Sequence, residues 1–397
     1  MEHVYCGRLD NAAYPSDEQC WSPSAAYPEY PYPELSAEEN GVYRLVRAGF
    51  RALGMDDAHY DQPEWNPLGE IVKPGMTVLV KPNWVLHRNG DPSRDMDCVV
   101  THPSVVRAVL DYVLIALKGT GRVIVGDAPI QLCDLDALHR TVGYDRLWAY
   151  YREKGAALDV VDFRGLVARR TPSGINVLRD QAEGITVDLG RQSMFADWAG
   201  EKIGRMRVTN YATGLMKQHH SVQKHEYMIH PDVLAADVIL NLPKPKTHRK
   251  AGLTACAKNF VGACMRKEDL PHHTAGSREE NGDEYLKKSV LHRMQSWFLD
   301  RKNDSDYAGE KRFFLYKWLY YGMRAVRKLS GAGKRDFSEG SWYGNDTIWR
   351  TIVDLKRIVR FADKRGALKP EAQRAVFNVC DMIVAGEEAK FGLPEPK

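Results

Sequence analysis

Strand-like and helical runs alternate along the first half of this chain, and that alternation restricts its fold more than any other feature. Residues 76–80 (MTVLV), 121–127 (GRVIVGD) and 158–162 (LDVVD) are short and rich in apolar, β-branched side chains, as buried strands are. Between the first two, His102 and Pro103 open a helix, proline being suited to the first helical position. Val105, Val109, Val113 and Leu117 line its apolar face. A second helix is expected over 135–154. Strands separated by helices pair in parallel and are covered on both sides. The expected fold class is α/β: a mostly parallel sheet with helices on both faces and a helical, basic insertion. No G-x-G-x-x-G follows any of these strands, so NAD is not expected as a cofactor.

A fourth strand opens the stretch ADVILNLPKPKTHRKAGLTACAKNFVG at 236–262. Val238, Ile239 and Leu240 form the apolar run, and Pro243 and Pro245 then exclude both helix and a central ladder position. Residues two apart in extended chain point the same way, so Lys244 and Lys246 are expected on one face, where an anion would relieve their repulsion. A helix expected from about residue 250 to 264 would offer free backbone N–H groups to the same anion. A solvated basic turn is the plain alternative.

The remaining chain is read more coarsely. Residues 1–35 form a tyrosine- and proline-rich extended strap. Residues 36–53 form a helix, with Ser36 and Glu39 as its capping box and Gly54 as its stop. Short strands are expected at 185–189 and 206–211. His219, His220, Lys224, His225 and Glu226 are expected in a solvent-exposed loop, followed by a helical turn at 231–236. From 266 to 341 the chain is a charged helical insertion. Its stretch 311–335 carries eight Lys or Arg and no acid among many aromatics, suited either to an anionic membrane surface or to a cap over the sheet. A helix starting near Asp346 and a buried strand at 375–384 complete the core. The expected units are thus a strap at 1–35, an α/β core at 36–265, the insertion at 266–341 and a completing segment at 342–397.

Composition sets limits on partners and compartment. A net charge of +4 over 397 residues is too mild to argue for nucleic acid. No run approaches the apolar length of a membrane span, and the N-terminus has no secretory apolar region. Seven scattered cysteines without C-x-x-C argue against an iron–sulfur cluster and for a reducing compartment. The expected location is cytoplasmic, with peripheral membrane contact and homo-oligomerisation left open.

Ligands of open α/β sheets bind beyond the carboxyl ends of the strands. That rule collects Lys81 and Asn83, then Asp127, then Asn241, Lys244, Lys246, Thr247 and His248, with Lys258 and Asn259 on the following helix and Glu387 after the last strand. Lysines with a few carboxylates suit the holding of an anion and the movement of a proton. His272, His273 and Asp283 form a second group, whose donors are those of a divalent-metal site. Arg350, a turn beyond Asp346, can grip an anion in bidentate fashion, while Asp346 itself suits a helix cap.

Several segments together resemble the family catalogued as domain of unknown function 362. They are VKPN at 80–83, THP at 101–103, VGD at 125–127, NLPKPKTH at 241–248 and AKNFVG at 257–262. LPHH at 270–273, GDE at 282–284, WYGNDTIWR at 342–350 and DMIVAGE at 381–387 follow in order. The resemblance implies an α/β fold, but the family's chemistry is poorly defined. Some members carry a ferredoxin-type cluster domain; the cysteine pattern here resembles the form without it. The family pattern runs past the Gly-Glu pair at 386–387, so the expectation is a shorter branch or a last strand and helix supplied elsewhere.

The leading functional expectation is an enzyme acting on an anionic small molecule, phosphorylated or carboxylated, by metal-assisted hydrolysis or group transfer in a biosynthetic pathway. Lys81, Lys244, Lys246, Lys258, Asn83, Asn241, Asn259, Thr247 and Arg350 would bind it. Asp127, His248 and Lys246 would carry the chemistry, and His272, His273 and Asp283 would hold a divalent metal. One alternative is proton or hydride transfer at a carbon next to a carboxylate. Another is a non-catalytic membrane-surface or assembly protein using 311–335.

Overall fold

A computed structural model describes residues 3–11, 13–171, 174–179, 183–329, 337–388 and 394–396; the end of the 311–335 stretch lies outside them. Helix α1 (Gly41–Ala52) starts later than the Ser36 capping box predicts, because Asn40 is the cap. Its Oδ1 accepts the Tyr43 N–H at 2.9 Å, and its Nδ2 donates to the Trp21 and Ser22 carbonyls at 2.8 and 3.0 Å. A tertiary contact with the strap therefore fixes where the helix begins.

The sheet is built from β1 (Thr77–Lys81), β2 (Arg122–Asp127), β3 (Leu158–Asp162), β4 (Val238–Asn241) and β7 (Ala375–Asn378). Their order is β7-β4-β1-β2-β3, and every neighbouring pair is parallel. Helix α2 (Pro103–Leu117) joins β1 to β2 and is capped by His102. The helix expected over 135–154 is two, α3 (Leu135–Val142) and α4 (Tyr144–Glu153), because Gly143 takes φ of 88° and ends the first in a left-handed cap.

Alternate side chains of the central strands feed two cores, as a period of two requires. Val78, Val80, Val125 and Leu240 pack with Tyr43, Phe50 and Val109 of α1 and α2. Leu79, Ile124 and Ile239 pack on the other side with Leu355, Ile358 and Val359 of α8 (Ile348–Phe361). Tyrosines of the strap lie against α2, where the fully buried Arg107 donates to Asp111 at 2.9 Å, Tyr30 at 2.8 Å and the Cys20 carbonyl at 3.1 Å.

Several expected elements differ. The helix predicted from residue 250 is a hairpin of β5 (Lys246–His248) and β6 (Gly252–Thr254), followed only by the short α5 (Cys256–Asn259) and a 3-10 turn. The reason is local: His248 Nδ1 accepts the N–H groups of Lys250 and Ala251 at 3.2 and 3.1 Å, and Gly252 takes φ of 74°. Strand β5 also pairs with β8 (Gly386–Glu388), far along the chain. The strand expected at 375–384 is shorter and only half-buried, being an edge strand with one neighbour. Helix α8 begins after Thr347 rather than at Asp346, since Asn345 Oδ1 accepts the N–H groups of Thr347 and Ile348 at 3.0 and 2.9 Å.

The histidine patch is not the exposed loop that its polarity predicts. His220 and His225 are buried with their rings 5.5 Å apart, and His220 Nε2 meets the Asp269 carbonyl at 2.8 Å. His219 and Lys224 each lie 3.0 Å from Glu226. Helices α6 (Val290–Tyr307) and α7 (Arg312–Leu329) form a packed hairpin.

Candidate active site at the carboxyl edge of the sheet

Parallel register delivers the ends of the strands side by side: Lys81 stands opposite Asn241, and Asn241 opposite Asn378. Lys81 is fully buried, and its Nζ lies 2.6 Å from Asp127 Oδ1. Asp127 Oδ2 accepts the Trp84 N–H at 2.6 Å. Burial pulls the Lys81 ammonium below its ordinary range, and Asp127 opposes that. Gly262 lies directly over this pair: a Cβ there would sit 1.7 Å from Asp127 Oδ1 and 2.7 Å from Lys81 Nζ. Only glycine permits so close an approach.

Lys244, also fully buried, has its own carboxylate, Asp381, at 3.1 Å. The Tyr14 hydroxyl donates to Asp381 Oδ1 and accepts from Lys244 Nζ. Asp381 Oδ2 accepts the His102 N–H at 2.8 Å, and the Tyr14 ring stacks on His102 at 3.9 Å. The strap therefore reaches the site through Tyr14.

Lys246 differs from both. Its Nζ donates to the Val99 carbonyl at 2.6 Å and approaches Asn83 Oδ1 at 3.4 Å, two neutral oxygens. Burial, then Lys258 and Lys244, push it down to about 7. From Asn83 a chain of amides crosses the strand ends. Asn83 Nδ2 donates to Asn259 Oδ1 at 3.0 Å, and Asn259 Nδ2 donates to Asn241 Oδ1 at 2.8 Å. Asn241 Nδ2 then donates to Asn378 Oδ1 at 2.8 Å and to the Cys256 carbonyl at 2.9 Å. Thr101 ties the lysine-bearing loops together, accepting the Asn83 N–H at 2.9 Å and donating to the Leu242 carbonyl at 2.7 Å.

On the other flank stand His248, Lys250 and His272. Burial, with Lys258 and His272, holds the His248 imidazole well below its usual range, so it is neutral. Burial and Lys250 push His272 down to about 3. Lys250 donates to Thr209 Oγ1, and burial pushes it down to about 7 against the pull of Glu339. Lys250 and Lys258 thus act on both imidazoles, and Lys258 acts on Lys246 as well.

The remaining predicted residues are placed elsewhere or otherwise engaged. Thr247 is exposed, its side chain alternating away from those of Lys246 and His248. Asp283 has both oxygens occupied, accepting from the Thr274 N–H, from Thr347 Oγ1 at 2.6 Å and from the Asp346 N–H at 2.8 Å. It pins the histidine strand to the start of α8. His272 Nδ1 bonds the Leu270 carbonyl at 2.7 Å, and His273 is buried. No group of three His, Cys, Asp or Glu among the described residues is arranged to hold a metal. Arg350 bonds the Met194 carbonyl at 2.7 Å and Asp346 at 3.2 Å, between the rings of Trp198 and Trp349. Asp346 thus holds Arg350 instead of capping the helix.

Tyr14, Thr101, Asn378 and Asp381 were not selected from the sequence. Asp381 opens DMIVAGE and Asn378 ends the apolar run AVFN, so a shorter strand boundary would have exposed both to the strand-end rule. Tyr14 carries no such signal. A wide depression lined by Asp363, Arg365, Gln373 and Arg374 lies at the opposite, amino-terminal ends of β4 and β7 and gathers none of these residues.

The family described as Domain of unknown function (DUF362) matches residues 78–186 and 192–393 of the chain, including every loop of this cluster except Tyr14. No curated protein and no solved structure matches. The chain belongs to the DUF362 family.

Proposed function

We propose that this member of the DUF362 family is an enzyme that binds an anionic small molecule, phosphorylated or carboxylated, at the carboxyl edge of its sheet and exchanges a proton with it. The observation that carries the reading is the contrast among three neighbouring lysines. Lys81 and Lys244 each hold a carboxylate, at 2.6 and 3.1 Å, while Lys246 bonds two neutral oxygens, the Val99 carbonyl and Asn83 Oδ1. A buried ammonium beside other ammoniums is costly unless an anion joins it. A phosphate or carboxylate reaching Lys246 would supply that partner.

The same setting suits proton transfer. A lysine brought to about 7 exchanges its proton near neutral pH far more readily than an ordinary one. Lys246 would act as the acid or base, with Lys258 holding the anion. Asn83, fixed through Asn259 to the sheet, would orient it. Neutral His248, whose Nδ1 accepts two backbone N–H groups, would offer its Nε2–H to the anion as a hydrogen-bond donor. This favours the proton-transfer alternative over metal-assisted hydrolysis, whose third ligand, Asp283, has both oxygens in hydrogen bonds.

Thermal-shift measurements against phosphate monoesters, hydroxy acids and keto acids test the binding step. A ligand at a hundred times its Kd stabilises by about 2.7 kcal/mol. At least one anion should raise the melting temperature of the wild type and leave Lys246→Met unmoved. No shift with any of them would overturn the reading.

A further inference from the structure

The outer surface of the α6–α7 hairpin takes no part in the site. In α7 the side chains of Phe314, Leu315, Trp318, Tyr321, Val326 and Leu329 are all exposed, Trp318 to 77% and Leu329 to 87%. At about 100° per residue they occupy one continuous arc of somewhat under half the helix circumference. The opposite side of α7 holds Tyr320 and Arg327, both buried, with Tyr320 donating to Glu339 at 2.9 Å. The aromatic arc therefore faces outward, and the helix does not bury it as a cap over the sheet.

Cations border that arc. Arg312 lies at one margin and Lys317 and Lys328 at the other, all exposed, and α7 contains no Asp or Glu. Helix α6 extends the surface: Val290, Met294, Trp297 and Arg301 recur at helical spacing and are exposed, with the Arg301 guanidinium 5.4 Å from the Trp297 ring. Trp297 also meets Tyr316 of α7 edge-on, with centroids 6.2 Å apart, so the two helices are in contact there.

A patch of this size on one face marks a contact surface. An apolar arc with tryptophan and tyrosine, edged by Lys and Arg, is the pattern of a helix lying in the interface of an anionic bilayer. A second copy packed symmetrically would set the same cations near one another without an acid on α7 to answer them. No helix among the described residues is long and apolar enough to cross a membrane, so contact is along the surface. We propose that the α6–α7 hairpin docks the protein on anionic lipid, with Leu315, Trp318 and Leu329 entering the acyl boundary and Arg312, Lys317 and Lys328 meeting lipid phosphates.

Co-sedimentation of the full-length protein with vesicles tests this. Vesicles of phosphatidylcholine with phosphatidylglycerol should bind it, and pure phosphatidylcholine vesicles should bind it at least about tenfold more weakly. Leu315→Glu/Trp318→Glu should abolish binding and the accompanying blue shift of tryptophan fluorescence. Lys317→Gln/Lys328→Gln, which leaves the apolar arc intact, should lose the preference for anionic vesicles. Failure of the wild type to bind anionic vesicles, or equal binding to both kinds, overturns the proposal. So does a dimer in light scattering that Leu315→Glu/Trp318→Glu separates while vesicle binding persists.

Discussion

The Lys81 ammonium and the Asp127 carboxylate meet at 2.6 Å with almost no solvent access, under a glycine whose Cβ would collide with both. Breaking such a pair from one side leaves a buried charge without its partner. Lys81→Met or Asp127→Leu should each cost about 3–5 kcal/mol in urea denaturation. Replacing both together should cost clearly less than the sum. Additive costs would show that the pair is not coupled. Gly262→Ala should destabilise too, because nothing but the ion pair can move aside.

Lys246 and Lys250 make the stability depend on pH in a stated direction. Each lies at about 7 in the folded protein, against roughly 10.4 for a lysine in unfolded chain. Well above about pH 10.4 both states hold the amines neutral and neither lysine carries a cost. As pH falls toward 7 the unfolded chain takes up protons that the folded one refuses, so stability falls. Below about 7 both states are protonated and the loss is complete. Denaturation midpoints should therefore rise between pH 7 and 9 with these lysines in place, and rise less in Lys246→Met/Lys250→Met. An identical rise in the variant would contradict the assignment.

Tyr14 is the strap's link to the site. Its hydroxyl stands between Lys244 and Asp381, and hydrogen bonds to charged groups contribute about 1.5–3 kcal/mol. Tyr14→Phe should lower stability by about that amount, whereas Tyr5→Phe, on an exposed ring, should not. Equal effects would detach the strap from the site.

Cys256 and Cys380 have their sulfurs 3.4 Å apart. Each neighbours the site: the Cys256 carbonyl accepts from Asn241, and Cys380 precedes Asp381. Thiol–disulfide exchange with oxidised glutathione should close a disulfide between them, with loss of two hydrogens by intact mass and release of reduced glutathione. Cys256→Ser should instead leave Cys380 unable to form it. Two free thiols after oxidation of the wild type would contradict the geometry.

The parallel strands were legible because strands buried on both faces must be continuous apolar runs, as 78–80 and 238–240 are. Their carboxyl ends then named Lys81, Asn83, Asp127 and Asn241 without further choice. What stayed hidden depends on partners distant in the chain. The Lys246–Gly386 pairing draws the extended segment into a second sheet, and its hairpin partner at 252–254 takes the place of the helix expected from residue 250. The burial of His220 and His225 draws on Phe195 and the Asp269 carbonyl, both far from them in sequence. The periodicity of α7 announces an amphipathic helix, but only the packing of Tyr320 and Arg327 inward shows that its aromatic side faces out.

Isothermal titration of the most stabilising anion, into wild type and Lys246→Met at pH 6.5 and 8.5, tests the central claim most directly. Binding that weakens at the higher pH in the wild type, and that falls at least tenfold with no remaining pH dependence in Lys246→Met, is the predicted result. Undiminished affinity in Lys246→Met, with the protein folded, would contradict an anion site built on Lys246.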